Sequence, residues 1–177
     1  PDFMYMNQGD GTFKNEIWQR TKHISNYSMG NDIADFNNDQ LPDIMTLDMV
    51  SEDHARSKRN MGGMNTQRFW ESVRNGLHYQ YMFNALQLNN GDGTFSEIAQ
   101  LSGVSKTDWS WAPLFADFDN DGQLDLFITN GYKRDARDVD ATRKIMENQT
   151  QKTDFKAALD LLPATKIQNY MFHNKGN

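Results

Sequence analysis

At 177 residues the chain is long enough to bury a sizeable core and suits one globular, soluble domain. Its net charge of −6 argues against nucleic acid or an anionic membrane as the main partner. The absence of cysteine excludes disulfides and thiolate metal sites, and no apolar run approaches the roughly 18 residues of a transmembrane segment.

Taken in order, residues 3–6 read as a strand running into the turn Asn7-Gln8-Gly9-Asp10-Gly11-Thr12, with Phe13 opening the return strand. Residues 33–34 enter, and residues 42–47 leave, the acidic loop Asp35-Phe36-Asn37-Asn38-Asp39-Gln40-Leu41-Pro42-Asp43. Residues 50–77 then break the β pattern, with a helix over 67–74. A strand over 81–88 leads into Asn89-Asn90-Gly91-Asp92-Gly93-Thr94, and Phe95 opens its return strand. Residues 112–116 enter, and residues 124–129 leave, a second acidic loop, Asp117-Phe118-Asp119-Asn120-Asp121-Gly122-Gln123-Leu124-Asp125. Residues 132–167 break the pattern again, with helices over 141–147 and 154–162, the latter stopped by Pro163. The final residues, 172–177, resemble the approach to Gly91, and the chain ends inside that motif. With Pro1 in first place and no signal peptide following, this reads as a piece of a longer protein whose export signal lies upstream.

Two landmarks share one spacing. Asp117 follows Asp35 by 82 residues, and Gly91 follows Gly9 by 82. That is an internal repeat. Each copy offers a strand in, an acidic loop, a strand out and a hairpin. One such four-stranded unit cannot bury both faces alone, so copies must stack side by side. Consecutive antiparallel connections alternate between the ends of a sheet. The acidic loops and Gly-Asp-Gly turns should share one end, and both helical inserts the other.

Four carboxylates within nine residues repel one another unless a cation sits among them. Oxygen ligands at alternate positions, with a sharp turn at Gly122, are what a calcium loop requires. Magnesium suits the pattern less, because it favours a few carboxylates plus several waters. The competing account is a metal-free turn, since Asp, Asn and Gly favour turns by themselves.

These motifs resemble the FG-GAP (VCBS) repeat, the blade unit of integrin-α-type β-propellers. The Trp109-Ser110-Trp111-Ala112 approach and the long inserts resemble bacterial relatives of cartilage acidic protein; the ASPIC/UnbV domain usual in those is not seen here. The resemblance covers roughly residues 1–49 and 78–130. It implies a mainly β fold: antiparallel four-stranded blades of a partial β-propeller, about two blades plus part of a third, with α-helical insertions. Residues 1–30 would be outer strands of a preceding blade. Residues 31–108 and 109–177 would be blades carrying the inserts 50–77 and 132–167. It also implies two Ca²⁺ sites. The first takes Asp35, Asn37, Asp39, Asp43 and the Leu41 carbonyl. The second takes Asp117, Asp119, Asp121, Asp125 and the Gln123 carbonyl. The first departs from the family pattern at Asn37 and at Gln40, where a left-handed conformation costs about 1 kcal/mol. An EF-hand is excluded, because its twelfth position needs Glu and here holds Thr46 or Ile128.

Nothing in the sequence supplies catalysis: Gly-x-Ser-x-Gly, His-Glu-x-x-His and phosphate-loop motifs are all absent. His23, His54, His78 and His173 show no ligand spacing and read as isolated surface or packing residues. Trp109 and Trp111 read as blade packing, with a glycan platform as the alternative. Asn26-Tyr27-Ser28 and Asn148-Gln149-Thr150 fit the glycosylation sequon, a frequent chance match. The expected function is a non-catalytic, calcium-binding module of a secreted, cell-surface or periplasmic bacterial protein, with a protein or glycan ligand. Alternatives are a non-catalytic part of a carbohydrate-active enzyme and a structural subunit of a cell-envelope assembly. Further blades or other subunits would complete it. The inserts, with Arg68, Trp70, Arg74, Lys133 and Arg137, are the expected recognition face.

Overall fold

The computed structural model describes residues 2–60, 65–148 and 155–176. The start of the third expected helix at Asp154, and Gln149 and Thr150 of the second sequon, lie outside the described residues.

The chain begins with the hairpin β1 (Tyr5–Asn7) and β2 (Phe13–Asn15), the short helix α1 (Ile17–Arg20) and β3 (Ile24–Ser25). Next come β4 (Asn31–Ala34), β5 (Asp43–Thr46), β6 (Met49–Val50), α2 (His54–Asn60) and α3 (Thr66–Arg74). The second repeat supplies β7 (Gln80–Tyr81), β8 (Ala85–Asn89), β9 (Phe95–Glu97), β10 (Asp108–Ala116) and β11 (Asp125–Asn130). The last elements are α4 (Val139–Asn148), α5 (Phe155–Asp160) and β12 (Tyr170–Phe172).

The fold is mostly β, with helices. Its centre is two four-stranded antiparallel sheets, ordered β4-β5-β8-β9 and β12-β11-β10-β6. Ile33 faces Ile44, Met45 faces Leu86, and Leu88 faces Ser96 across the first sheet. Leu114 faces Phe127, and Leu126 faces Phe172, across the second. Alternate residues of β5 and β11 point into the space between the sheets. There Met45, Leu47, Leu86, Leu126 and Ile128 pack with Ala99 and Val104. Each of the large, fully buried chains among them contributes roughly 1.5–3 kcal/mol. Where the sheets meet, a Cβ on Gly30 would stand 2.2 Å from the Trp111 carbonyl oxygen, so only glycine fits that approach.

Register fixes which loops share an end. Asp43 and Asn89 lie at one end of the first sheet, Thr46 and Ala85 at the other. Loop 35–42 and turn 90–94 therefore sit together, and the insert leaves from the far end. The second sheet repeats this, with Asp125 beside its acidic loop and Ile128 opposite Tyr170 toward its insert. The loops of the two sheets also touch: Asn38 Nδ2 donates to Gly122 O and to Gln123 Oε1, both at 3.1 Å.

Three local expectations change. The strand expected over 81–88 is two pieces, because β7 pairs in parallel with β3 and only β8 joins the first sheet. Buried Asn84 sits at the break, donating to the Val104 carbonyl and the Thr107 hydroxyl while accepting from Asp48 N. The second sheet gains β6, whose Met49 and Val50 pair with Trp109 and Asp108 across the repeat boundary. A further helix, α2, precedes α3, whose N-terminus is capped by Asn65 accepting from Arg68 N at 3.0 Å.

Candidate metal centre

Each acidic loop closes on its own carboxylates. In the first, Asp39 N donates to Asp35 Oδ1 at 2.9 Å and Gln40 N to Asp35 Oδ2 at 2.8 Å. Asp39 N also reaches Asn37 Oδ1 at 3.3 Å, and Leu41 N reaches Asp39 Oδ1 at 2.8 Å. The second loop repeats all four. Asp121 N donates to Asp117 Oδ1 at 3.0 Å and Asp119 Oδ1 at 3.3 Å, Gly122 N to Asp117 Oδ2 at 3.0 Å, and Gln123 N to Asp121 Oδ1 at 2.8 Å. The backbone turns left-handed at Asn38 and Gln40, and at Asn120 and Gly122. Gln40, with φ of 69°, thus carries the strain that Gly122 avoids.

The ninth residues differ. Asp43 and Asp125 start β5 and β11 and are buried almost completely. Asp43 Oδ1 accepts from Asn89 N at 2.8 Å, whereas its Oδ2 is buried with no hydrogen-bond partner. Burial pushes the Asp43 carboxyl above its ordinary range, opposed by the Asn89 and Phe36 N–H groups and reinforced by the charges of Asp39 and Asp35. Asp125 is better supplied. Its Oδ1 accepts from Asn174 N at 2.9 Å and lies 3.2 Å from His173 Nδ1, and its Oδ2 accepts from Phe118 N at 3.4 Å. The Asn174 N–H in particular, with help from Phe118 and His173, holds this carboxyl below its ordinary range despite the opposing effect of burial.

A hard cation fits this donor set. Carboxylate oxygens and an amide oxygen gather in one turn, and the buried Asp43 Oδ2 has no hydrogen-bond partner of its own. His173 is an addition that sequence spacing missed. Its Nδ1 lies 3.4 Å from Asp119 Oδ2, and one ligand atom each of Asp119, Asp121 and His173 fall within 4.8 Å of one another. The third turn copy contains the signal. Gly176 N donates to Asn174 Oδ1 as Gly91 N does to Asn89 Oδ1, so His173 takes the place of Leu88. A histidine one residue before that asparagine faces the acidic loop.

Residues 74–128 match the family model of the FG-GAP-like repeat. The FG-GAP-like repeat here runs from the end of α3 through the second acidic loop to β11, and so includes Asp117, Asp119, Asp121 and Asp125. Neither a curated protein nor a solved structure matches the chain.

The far end of the repeat holds a second cluster of charges. Arg56 of α2 donates through Nε to Asp108 Oδ2 at 2.7 Å, through Nη2 to Asp108 Oδ1 at 3.1 Å, and through Nη1 to Asp135 Oδ2 at 3.0 Å. It also contacts the Tyr132 hydroxyl, whose acidity burial weakens further. Asp108 adopts a left-handed φ of 71° to present both oxygens. Trp109 packs on Tyr132 at 4.8 Å and under the Arg137 guanidinium at 5.1 Å, while Trp111 stays half exposed. Neither tryptophan joins the central core. His78 stacks on Trp18, and His23 lies 3.4 Å from Glu97.

Proposed function

We propose that the chain is the calcium-binding part of an FG-GAP/VCBS β-propeller, a non-catalytic recognition module of a secreted, cell-surface or periplasmic bacterial protein. Residues 1–30 would complete a preceding blade, and residues 31–108 and 109–177 would form the next two. The observation that supports calcium is the same set of four backbone-to-side-chain hydrogen bonds in two acidic loops 82 residues apart. Asp35, Asn37, Asp39, Asp43 and the Leu41 carbonyl would hold one Ca²⁺. Asp117, Asp119, Asp121, Asp125 and the Gln123 carbonyl would hold the other. The ions would offset crowded carboxylates and pin two strand connections, a structural role rather than a catalytic one. Recognition of a protein or glycan would fall to the inserts at the far end, on a scaffold held rigid by the sheets.

Calorimetric titration tests the metal assignment. Two calcium heats are expected, the second loop being tighter because it offers four carboxylates against three and keeps Gly122. Asp121→Ala should abolish the tighter heat and Asp39→Ala the weaker one. Equal loss in both variants, or no calcium heat from the parent protein, would overturn the assignment.

A further inference from the structure

Both inserts carry net positive charge in a chain whose net charge is −6: residues 50–77 hold Arg56, Lys58, Arg59, Arg68 and Arg74 against Glu52, Asp53 and Glu71, and residues 132–167 hold eight Lys/Arg against six Asp/Glu. In the first insert all five cations fall within the stretch 54–74, where Glu71 is the one acid. Arg56 is engaged by Asp108 and Asp135. The other four cations are exposed and, among the described residues, enter no ion pair. Glu71 accepts from Gln67 Nε2 at 2.9 Å rather than from an arginine.

Aromatic rings share α3 with two of these cations, Arg68 and Arg74. Trp70, 49 % exposed, meets Phe69 edge-on at 5.1 Å, and Phe69 leans on Tyr79 at 6.2 Å and Tyr81 at 5.4 Å. Tyr79 in turn meets Trp18, 43 % exposed, which is stacked on His78 at 4.3 Å. None of these rings belongs to the central core. Trp70 and Arg74 stand one helical turn apart on α3, so an indole and an unpaired guanidinium share one flank.

We infer that this flank binds an anionic polysaccharide, an assignment that rests on the recognition role proposed above. The C–H face of a sugar ring packs on an indole, and a guanidinium takes a carboxylate through two parallel hydrogen bonds. A polymer alternating ring faces and carboxylates meets both needs together. Poly-L-glutamate, which has no ring, meets only the second.

Calorimetry in calcium-containing buffer, with a hyaluronate oligosaccharide as probe, tests this. Hyaluronate should bind, while an uncharged N-acetylglucosamine oligomer and poly-L-glutamate should bind at least tenfold more weakly. Trp70→Ala and Arg74→Gln should each weaken hyaluronate binding by at least about tenfold, the effect of losing an interface anchor. Arg143→Gln, an exposed change on the other insert, should leave it intact. Calcium heats should survive in all three variants, showing that they remain folded. Equal binding of poly-L-glutamate would overturn the inference, as would unchanged hyaluronate binding in Trp70→Ala or equal losses in Arg74→Gln and Arg143→Gln. No hyaluronate heat alongside normal calcium heats would overturn it while leaving the metal assignment standing; loss of both would overturn both.

Discussion

Replacing Arg56 by alanine should cost on the order of 3–5 kcal/mol, because it strips the cation from two buried carboxylates and leaves Asp108 with the Trp109 N–H. Asp135 is 1 % exposed and Asp108 is 8 % exposed, so neither recovers its lost bonds from water. Asp135 also already carries one oxygen without a partner. A thermal melt should fall by roughly 6–20 °C, at about 2–4 °C per kcal/mol for a chain of this size. Adding Asp108→Asn and Asp135→Asn to Arg56→Ala should recover part of that loss by removing the stranded charge. A drop of less than about 1 kcal/mol would place Arg56 among ordinary surface pairs and refute its role as the tie between α2, β10 and the second insert.

Calcium should set the sign of a second substitution, Asp43→Asn. In the calcium-free protein the folded state raises the Asp43 carboxyl above its ordinary value of 3.8, so it holds its proton more tightly than the unfolded chain does. The corresponding stability is fully present below that ordinary value and is lost as pH rises through the folded value. Above the folded value a buried charge remains, and a neutral amide in its place removes it. Asp43→Asn should therefore melt higher than the parent in EDTA and lower in excess calcium. In the parent protein, chelation should remove about 2.7 kcal/mol per site at a hundredfold excess over the dissociation constant, or roughly 5–10 °C. A melt indifferent to EDTA, or a substitution with one sign in both buffers, would show that the loop holds no ion.

The parts legible in the sequence are those written at fixed short spacings. Carboxylates at alternate positions dictate the loop frame, because each accepts an N–H only a few residues away. The 82-residue offset then carried that frame from one loop to the other. Gln40 was legible as a strained substitute for glycine for the same reason, and its φ of 69° agrees. What stayed hidden depends on residues far apart in the chain. Ser25 and Tyr81 pair in parallel across 56 positions, and Arg56 meets Asp135 across 79. His173 looked isolated because its carboxylate neighbours lie some fifty residues earlier and meet it only once β11 and β12 pair. The single strand expected over 81–88 failed for a related reason. Its apolar run gave no hint that Asn84 would be buried and bonded to two other segments, at Asp48 and at residues 104–107.

Asn38 has a thermodynamic consequence. Its side-chain amide leaves the first acidic turn and grips the Gly122 carbonyl and the Gln123 side chain of the second. Gln123 is also the residue whose backbone carbonyl is assigned to the second ion. Ordering either turn therefore prepays part of the conformational entropy of the other. Under the calcium assignment the two sites are reciprocally linked: whatever factor one ion adds to its neighbour's affinity, the neighbour must return. Filling the tighter site should then raise the affinity of the weaker one, and Asn38→Ala should return the pair to independent binding.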